Sequence, residues 1–167
     1  MKIIYSGRVF SVETGRKRFP NGREHEVEIV RHRPCVVLIP VEDDGRVVLV
    51  RQFRAPIDRE TWELPAGGID EGEKPDVAAR RECEEETRRA PGRVERLGAW
   101  FPTPGYCDEE MIFFRVSELR EPAADSPYHA DADEDITTRT VTVEEARAMV
   151  RGGDIVDLKT AFALTLV

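Results

Sequence analysis

Two Val- and Ile-rich segments constrain the fold of this chain most strongly. They are CVVLIPV at 35–41 and RVVLVRQF at 46–53, and their β-branched residues favour strands. The four residues between them, EDDG at 42–45, form a turn-prone cluster. A short turn between two strands is typical of a hairpin, so we expect the two segments to pair with each other.

The remaining patterns predict an α/β domain preceded by a small β-extension. In residues 1–30, short apolar stretches flank a turn at Pro20–Gly22, which indicates a β-hairpin or a small sheet. Residues 31–167 are long enough for one domain with its own core. Further strands are expected at Glu95–Phe101, Glu110–Val116 and Thr137–Val143, and helices at Val143–Arg151 and Asp157–Leu166. The expected architecture is a mixed β-sheet with helices.

The charge of the chain restricts its partners. Its formal net charge is −8, whereas non-specific nucleic-acid binding depends on Lys and Arg, so we expect no nucleic-acid partner. A small anionic substrate stays compatible with this charge, because metal ions can supply positive charge at a site. We find no signal peptide and no apolar run of membrane-spanning length, and therefore expect a cytoplasmic protein without a membrane partner.

The three cysteines of the chain are predicted to be thiols. Cys35, Cys83 and Cys107 are odd in number, widely spaced and outside any C-x-x-C pair. This pattern favours neither a disulfide framework nor a structural zinc site.

A charged helix is expected after the glycine-rich sequence TWELPAGG. Pro75 suits the first turn of a helix, and the helix should end near residues 90–92 (APG). At about 100° of rotation per residue, Glu82, Glu85 and Glu86 fall on one arc of the helix. The helix therefore presents three carboxylates together.

The acidic arc allows two interpretations. Ala79 and Cys83 lie beside it and form a narrow apolar stripe that could pack on the sheet, while Glu84 points nearly the opposite way. The carboxylates could be a solvated face with neighbouring arginines as ion-pair partners. Alternatively they could bind a hard divalent cation such as Mg²⁺, which takes oxygen ligands and shares them with substrate phosphates.

Residues 67–89 resemble the Nudix box, G-x5-E-x7-R-E-U-x-E-E-x-G-U, where U is a bulky apolar residue. The positions in register are Gly67, Glu73, Arg81, Glu82, Glu85 and Glu86. The resemblance implies an α/β/α sandwich around a mixed sheet. It also implies that Glu82, Glu85, Glu86 and the carbonyl oxygen of Ala66 bind Mg²⁺, or Mn²⁺ as a substitute. Glu73 and Arg81 would form an ion pair that holds the loop against the helix.

Three positions depart from the Nudix pattern. Cys83 and Arg89 replace the bulky apolar residues, and Arg88 replaces a glycine. Arginine adopts the left-handed conformation of a helix-ending glycine only at a cost. We therefore expect the helix to run past Arg88, up to about Gly92, with the metal ligands unaffected.

The resemblance extends to the branch of the family that hydrolyses ADP-ribose and related nucleoside diphosphate sugars. Pro104 lies fifteen residues beyond the box, a spacing similar to that of ADP-ribose pyrophosphatases. It implies that Arg54, Pro104, Gly105 and Glu109 contact the substrate. The segment 120–135 is rich in Pro, Ala and Asp and predicts a mobile surface loop. In relatives this loop carries a catalytic or metal-binding glutamate, and Glu134 is the matching position, with Asp133 as second choice.

The resemblance thus implies a Mg²⁺-dependent hydrolase that cuts the diphosphate bond of ADP-ribose or a similar compound. Glu73, Arg81, Glu85 and Glu134 would form its catalytic set. Alternatives are a GDP-sugar or oxidised-nucleotide pyrophosphohydrolase, or a module that binds nucleotide sugars without turnover. The relatives form homodimers through their N-terminal strands, so residues 1–30 are the expected dimerisation element.

Overall fold

The computed structural model of the chain describes residues 1–129 and 136–167, and its first three strands form a separate small sheet. Strands β1 (Lys2–Ser6), β2 (Phe10–Arg18) and β3 (Glu24–His32) are antiparallel, in the order β1-β2-β3. The turn between β2 and β3 contains Gly22 with a φ of 80°. These three strands form a sheet that is separate from the two sheets of the body.

The body of the protein is built on a four-stranded mixed sheet. Its strands are β4 (Cys35–Pro40), β7 (Ala66–Gly68), β8 (Ala90–Trp100) and β9 (Met111–Arg120), in the order β7-β4-β9-β8. Strands β4 and β9 are parallel, and the other neighbours are antiparallel. Every residue of β4 is buried, as expected for a central strand covered on both faces.

A second sheet and three helices complete the body. The second sheet has the order β10-β5-β6 and consists of β5 (Val47–Arg54), β6 (Arg59–Glu63) and β10 (Thr137–Val141). A short 3₁₀ turn at Ala55–Ile57 joins β5 to β6. The helices are α1 (Pro75–Thr87), α2 (Val143–Gly152) and α3 (Leu158–Ala163). No helix in the described ranges is long and apolar enough to cross a membrane.

The two faces of β4 bury two different parts of the core. On one face, Val36 and Leu38 pack against Ala79 and Cys83 of α1, which confirms the predicted apolar stripe. On the other face, Val37 and Ile39 pack against the second sheet, α2 and α3. The α/β class with a mixed sheet between helical layers is confirmed.

The predicted hairpin between the two Val- and Ile-rich segments is wrong. Strands β4 and β5 belong to different sheets, and only the single bridge between Val41 and Val47 joins their ends. The physical reason is that both edges of β4 are already paired, one with β7 and the other with β9. The turn at 42–45 forms, but it sends β5 into the second sheet.

The predicted extension of α1 past Arg88 is also wrong. The helix ends at Thr87, and Arg88 adopts the left-handed conformation with φ 57° and ψ 35°. Its N–H group donates a hydrogen bond to the carbonyl oxygen of Glu84 at 3.0 Å. Because β8 begins at Ala90 and pairs with Arg120, the chain must leave the helix here, although Arg88 is not a glycine.

Candidate active site

Helix α1 presents its three carboxylates to strand β7. Pro75 begins the helix, and the packing of Ala79 and Cys83 on the sheet fixes its rotation. Glu82 and Glu86 are only 8% and 6% exposed. Buried carboxylates are unfavourable without charged or hydrogen-bonding partners, so this face of the helix has to be compensated.

The backbone of β7 lies directly against these carboxylates. A Cβ atom on Gly67 would lie 2.0 Å from the carboxyl carbon of Glu82, so no larger residue fits there in this arrangement. The N–H group of Ala66 donates a hydrogen bond to Glu86 Oε2 at 3.2 Å. The glycine of the box therefore makes room for the acidic side chain, which the sequence pattern alone did not specify.

Arg81 is the main cation of the acidic face. Its Nε and Nη2 atoms donate to the two carboxylate oxygens of Glu73 at 3.0 and 2.9 Å, and Nη2 also donates to the carbonyl oxygen of Gly68 at 2.9 Å. Its Nη1 atom donates to Glu82 at 2.6 Å and to Glu85 at 2.9 Å. The predicted ion pair between Glu73 and Arg81 is thus confirmed, and the same guanidinium reaches two of the predicted metal ligands.

This network shifts the titration of its members. The hydrogen bond from Arg81 holds the pKa of Glu73 below its usual value, and the N–H group of Asp70 adds to the effect. The carboxylates in turn raise the pKa of the Arg81 guanidinium, with Glu73 as the largest cause. The ionised forms of both groups are therefore the stable ones at neutral pH.

A cavity of about 420 Å³ opens beside the acidic face. Its wall includes Glu82, Glu85, Glu86 and Arg81, together with β7, and its other side carries Arg8 and Val9 from the turn after β1. Arg33 also lines it, with its guanidinium against Gly68 and 3.2 Å from Asp70. The cavity thus has an acidic wall that faces a rim bearing two arginines.

The donor set of this wall fits a hard divalent cation. The three carboxylates and the carbonyl oxygen of Ala66 are all oxygen donors, which such cations prefer. In the described part of the chain, no three acidic, His or Cys side chains are placed closely enough to hold a metal ion as they stand. Arg81 Nη1 lies between Glu82 and Glu85 instead. A cation would have to replace these two contacts, and the bonds of Arg81 to Glu73 and Gly68 would not be disturbed.

A second charged cluster surrounds Glu63, whose residue is 1% exposed. Arg54 donates to it through Nε at 2.8 Å and Nη2 at 2.6 Å, and Lys159 Nζ donates at 2.5 Å. Lys159 Nζ also lies 3.0 Å from Asp157. Burial alone would raise the pKa of Glu63, but Arg54 and Lys159 hold it below its usual value.

Sequence reasoning missed Glu63 and Lys159. Both lie in stretches that carry the family resemblance, ELPAG and GDIVDLKTA, but neither stretch had been given a charged role. The available signal was a glutamate between the apolar residues Trp62 and Leu64, since an acidic side chain is almost never fully buried without a partner. Arg54, a predicted substrate contact, is placed in this cluster and lines a separate cavity of about 320 Å³.

The other predicted substrate residues lie apart from the acidic wall. Glu109 accepts a hydrogen bond from Cys35 Sγ at 3.5 Å and is 3.6 Å from His32 Nδ1. Burial and the charge of Glu109 raise the pKa of the Cys35 thiol to about 12, so Cys35 is protonated. Pro104 and Gly105 line a third cavity beside the N-terminal sheet.

The structure therefore brings together only part of the predicted site. Ala66, Glu73, Arg81, Glu82, Glu85 and Glu86 form one cluster. Arg54, Glu109, Pro104 and Gly105 lie outside the cavity that this cluster lines. Glu134 and Asp133 are outside the described residues. The substrate and catalytic roles of all these residues stay predictions.

Comparisons with known proteins place this arrangement in a family. The chain is 35% identical to an ADP-ribose pyrophosphatase of Bacillus subtilis (strain 168), over 96% of its own length and 86% of the relative's. It is 34% identical to a methanol dehydrogenase activator of Bacillus methanolicus, with the same shares of 96% and 86%. A crystal structure of an ADP compounds hydrolase matches with a TM-score of 0.81 and 23% identity, over 99% of this chain and 88% of that one.

The structural match supports the fold, and the sequence matches support the family. The profile of the NUDIX domain covers residues 31–158, which include the acidic helix, β7, Arg54 and Glu63. The chain belongs to the Nudix family.

Proposed function

We propose that the protein is a Mg²⁺-dependent hydrolase that cuts the diphosphate bond of ADP-ribose or a related nucleoside diphosphate sugar. The products would be a nucleoside monophosphate and a sugar phosphate. The observation that carries this proposal is the convergence of Glu82, Glu85 and Glu86 on the wall of one cavity, with Glu82 and Glu86 against the backbone of β7. The similarity to an ADP-ribose pyrophosphatase over nearly the whole chain supports the substrate class.

The chemistry of a diphosphate explains why such a wall suits it. Its negative oxygens repel an incoming nucleophile, and a bound Mg²⁺ or Mn²⁺ ion would supply positive charge there and lower the pKa of a bound water. Glu82, Glu85, Glu86 and the carbonyl oxygen of Ala66 would hold the ion. Arg81 and Glu73 would keep the helix and the preceding loop in place around it.

Proton transfer needs a base, and Glu134 is our candidate. It would take the proton of the attacking water while the water attacks one phosphorus atom in line with the leaving oxygen. Glu134 lies outside the described residues, so its assignment depends on the family resemblance. Replacing it with Gln should lower turnover more than tenfold; a smaller effect would exclude this role.

The first experiment measures turnover on a panel of substrates with Mg²⁺. The panel contains ADP-ribose, ADP-glucose, GDP-mannose, NADH and 8-oxo-dGTP, and chromatography identifies the products. We expect AMP and ribose 5-phosphate from ADP-ribose, with loss of activity in EDTA. Glu85→Gln should lower kcat by about 100-fold or more, because it removes a charged ligand from the metal site.

A matched control tests whether the acidic face itself is responsible. Glu84 lies on the same helix but accepts a hydrogen bond from Ser126 Oγ at 2.6 Å, away from the cavity. Glu84→Gln should leave kcat nearly unchanged. Equal losses of kcat in Glu84→Gln and Glu85→Gln would contradict the metal site. A preference for GDP-mannose in the substrate panel would keep diphosphate hydrolysis as the reaction but change the assigned substrate.

A second candidate function is binding of a nucleotide sugar without turnover. It is favoured by the relative that is named as an activator of another enzyme and by Arg88, which replaces the glycine of the box. Calorimetry with ADP-ribose separates the two candidates. Binding without any product in the panel would support the non-catalytic function.

We further propose a cytoplasmic homodimer that uses residues 1–30. Its support is a group of apolar side chains on the N-terminal sheet that are more than 40% exposed: Ile3, Ile4, Tyr5, Val9 and Phe10. Such a patch is unusual for a monomer surface. Light scattering should give twice the mass of the chain, and Ile4→Lys should shift the mass toward that of one chain.

A further inference from the structure

The Glu63 cluster is built to fix the orientation of one guanidinium. Arg54 binds both carboxylate oxygens of Glu63 through Nε and Nη2, a two-point contact that fixes the plane of the guanidinium. Lys159 Nζ donates to Oε2 of Glu63, the oxygen that also accepts from Arg54 Nη2. Both side chains are largely buried, at 2% exposed for Glu63 and 9% for Lys159.

Arg54 keeps donors that this contact does not use. A guanidinium has five N–H groups, and the contact with Glu63 takes two of them. Within residues 1–129 and 136–167, its Nη1 atom makes no hydrogen bond. The side chain is 39% exposed and lines the cavity of about 320 Å³. Three N–H groups of Arg54 are therefore available to an anion.

Arg54 also lies within electrostatic reach of the acidic helix. Its pKa is raised chiefly by Glu63, and further by the charges of Asp157 and Glu86. Glu86 is one of the three carboxylates of the proposed metal site, and it accepts a hydrogen bond from Ala66, which follows Glu63 by three residues, so the two clusters are neighbours. A guanidinium held in a fixed plane can donate two parallel hydrogen bonds to a pair of phosphate oxygens.

We propose that Glu63 and Lys159 are positioning residues that direct the outer face of Arg54 toward a phosphate group of the substrate. This inference rests on the proposed function. Lys159 is required because, without it, Arg54 would be the only cation in contact with the buried carboxylate of Glu63. With Lys159 in the cluster, Glu63 keeps a cationic partner when the guanidinium interacts with a second anion.

The test compares KM and kcat in single and double variants with ADP-ribose as substrate. Glu63→Gln keeps the shape of the side chain but removes its charge, and should raise KM by about tenfold with kcat within about threefold. Lys159→Met should raise KM less, by about fivefold, and Lys159→Arg should restore most of the loss. Glu144→Gln is the matched control, because it removes a Glu from an exposed ion pair with Arg151.

The double variant decides whether Glu63 acts through Arg54. If it does, Glu63→Gln combined with Arg54→Gln should have the same KM as Arg54→Gln alone. The proposal would be overturned if the increases in KM of the two single variants multiply in the double variant. It would also be overturned if Glu63→Gln lowers kcat at constant KM in proportion to the folded fraction measured by circular dichroism.

Binding measurements separate this inference from the proposed function. The probe is the α,β-methylene analogue of ADP-ribose, which cannot be hydrolysed at the diphosphate, titrated with Mg²⁺ present. Absence of both binding and turnover in the wild-type protein would overturn the proposed function and this inference together. Wild-type binding that is unchanged in Glu63→Gln would overturn only the inference.

Discussion

The molecule contains two charged clusters of opposite design. In the Arg81 cluster, one guanidinium serves three carboxylates, those of Glu73, Glu82 and Glu85. In the Glu63 cluster, one buried carboxylate is shared by two cations, Arg54 and Lys159, and Asp157 balances the second cation. The first cluster therefore carries an excess of negative charge, whereas the second is balanced.

The difference in charge indicates different roles: the Arg81 cluster can bind a cation, whereas the Glu63 cluster can orient Arg54. Carboxylates on one helix face repel each other, and a single guanidinium neutralises only part of that charge. A cation from solution can lower the energy of this face further, which agrees with the proposed metal site. A balanced cluster gains little from an added ion, and it can instead hold Arg54 in a fixed orientation.

The largest effect is expected from Arg81→Met. The change removes the contacts to Glu73 and Gly68 and leaves Glu82 and Glu85 without this cation. Loss of one partner from a largely buried ion-pair network should lower the free energy of unfolding by about 3 kcal/mol. Turnover should fall at least about 100-fold, because the ligands lose their positions. Urea unfolding and the substrate assay measure both effects.

The same variant can break the comparison between the clusters. If the acidic face needs cations, Mg²⁺ should raise the Tm of Arg81→Met by more than it raises the Tm of the wild type. Arg80→Met is the control on the same helix, because Arg80 donates to the carbonyl oxygen of Pro91 and, among the residues that the structure describes, to no carboxylate. Equal destabilisation of the two variants, with no difference in their response to Mg²⁺, would show that the acidic face carries no unbalanced charge.

An intermediate effect is expected from pH, with Glu73→Gln as the sensitive variant. The pKa of Glu73 is lowered in the folded protein from an ordinary value of 4.5, so the ionised carboxylate stabilises the fold above that pH. This stabilisation is lost as the pH falls below 4.5 and through the folded pKa. At pH 7 the free energy of unfolding of Glu73→Gln should be about 1–2 kcal/mol lower than that of the wild type, because the variant loses a charge-assisted hydrogen bond.

The slope of stability with pH provides the check on that prediction. The difference between wild type and Glu73→Gln should shrink as the pH falls from 5 to 3, because protonation removes the same charge from the wild type. Urea unfolding at several pH values measures it. A difference that stays constant over this range would mean that the variant acts through packing and not through charge. Glu144→Gln, in an exposed ion pair, should show almost no difference at any pH.

The sequence predicted those parts of the site that depend on local spacing. Glu73, Arg81, Glu82 and Glu85 meet as expected because one helix and the loop before it bring them together within a few turns. Helical geometry alone selects which carboxylates share a face. The Glu63 cluster could not be obtained in this way, since Lys159 and Glu63 are 96 residues apart in the chain.

The errors in the fold have the same origin. The patterns of β4 and β5 and the turn between them are correct locally, but strand pairing depends on which edges of β4 are occupied by β7 and β9. Likewise, the preference of arginine against a left-handed conformation is real, but at Arg88 the start of β8 overrides it. In both places pairing with β9, which lies far along the chain, contributes to an outcome that local preference does not give.

The smallest effect is expected from Arg88→Gly, which restores the glycine of the Nudix box at the end of α1. Arg88 has a φ of 57°, a conformation that costs a residue with a Cβ atom about 1 kcal/mol. Part of this gain is offset by the larger entropy of an unfolded glycine, so the variant should be about 0.5 kcal/mol more stable, a rise of about 1–2 °C in Tm.

Turnover of Arg88→Gly should not change, because Arg88 is exposed and lies after the last residue of the helix that bears the acidic wall. Arg89→Gly is the matched control: Arg89 has no positive φ, so glycine there should lower stability. A large rise in kcat for Arg88→Gly would instead show that the end of α1 controls the carboxylates of the Arg81 cluster. In that case the excess negative charge of the Arg81 cluster alone would not make the site active. The arginine that replaces the box glycine would then favour the non-catalytic function.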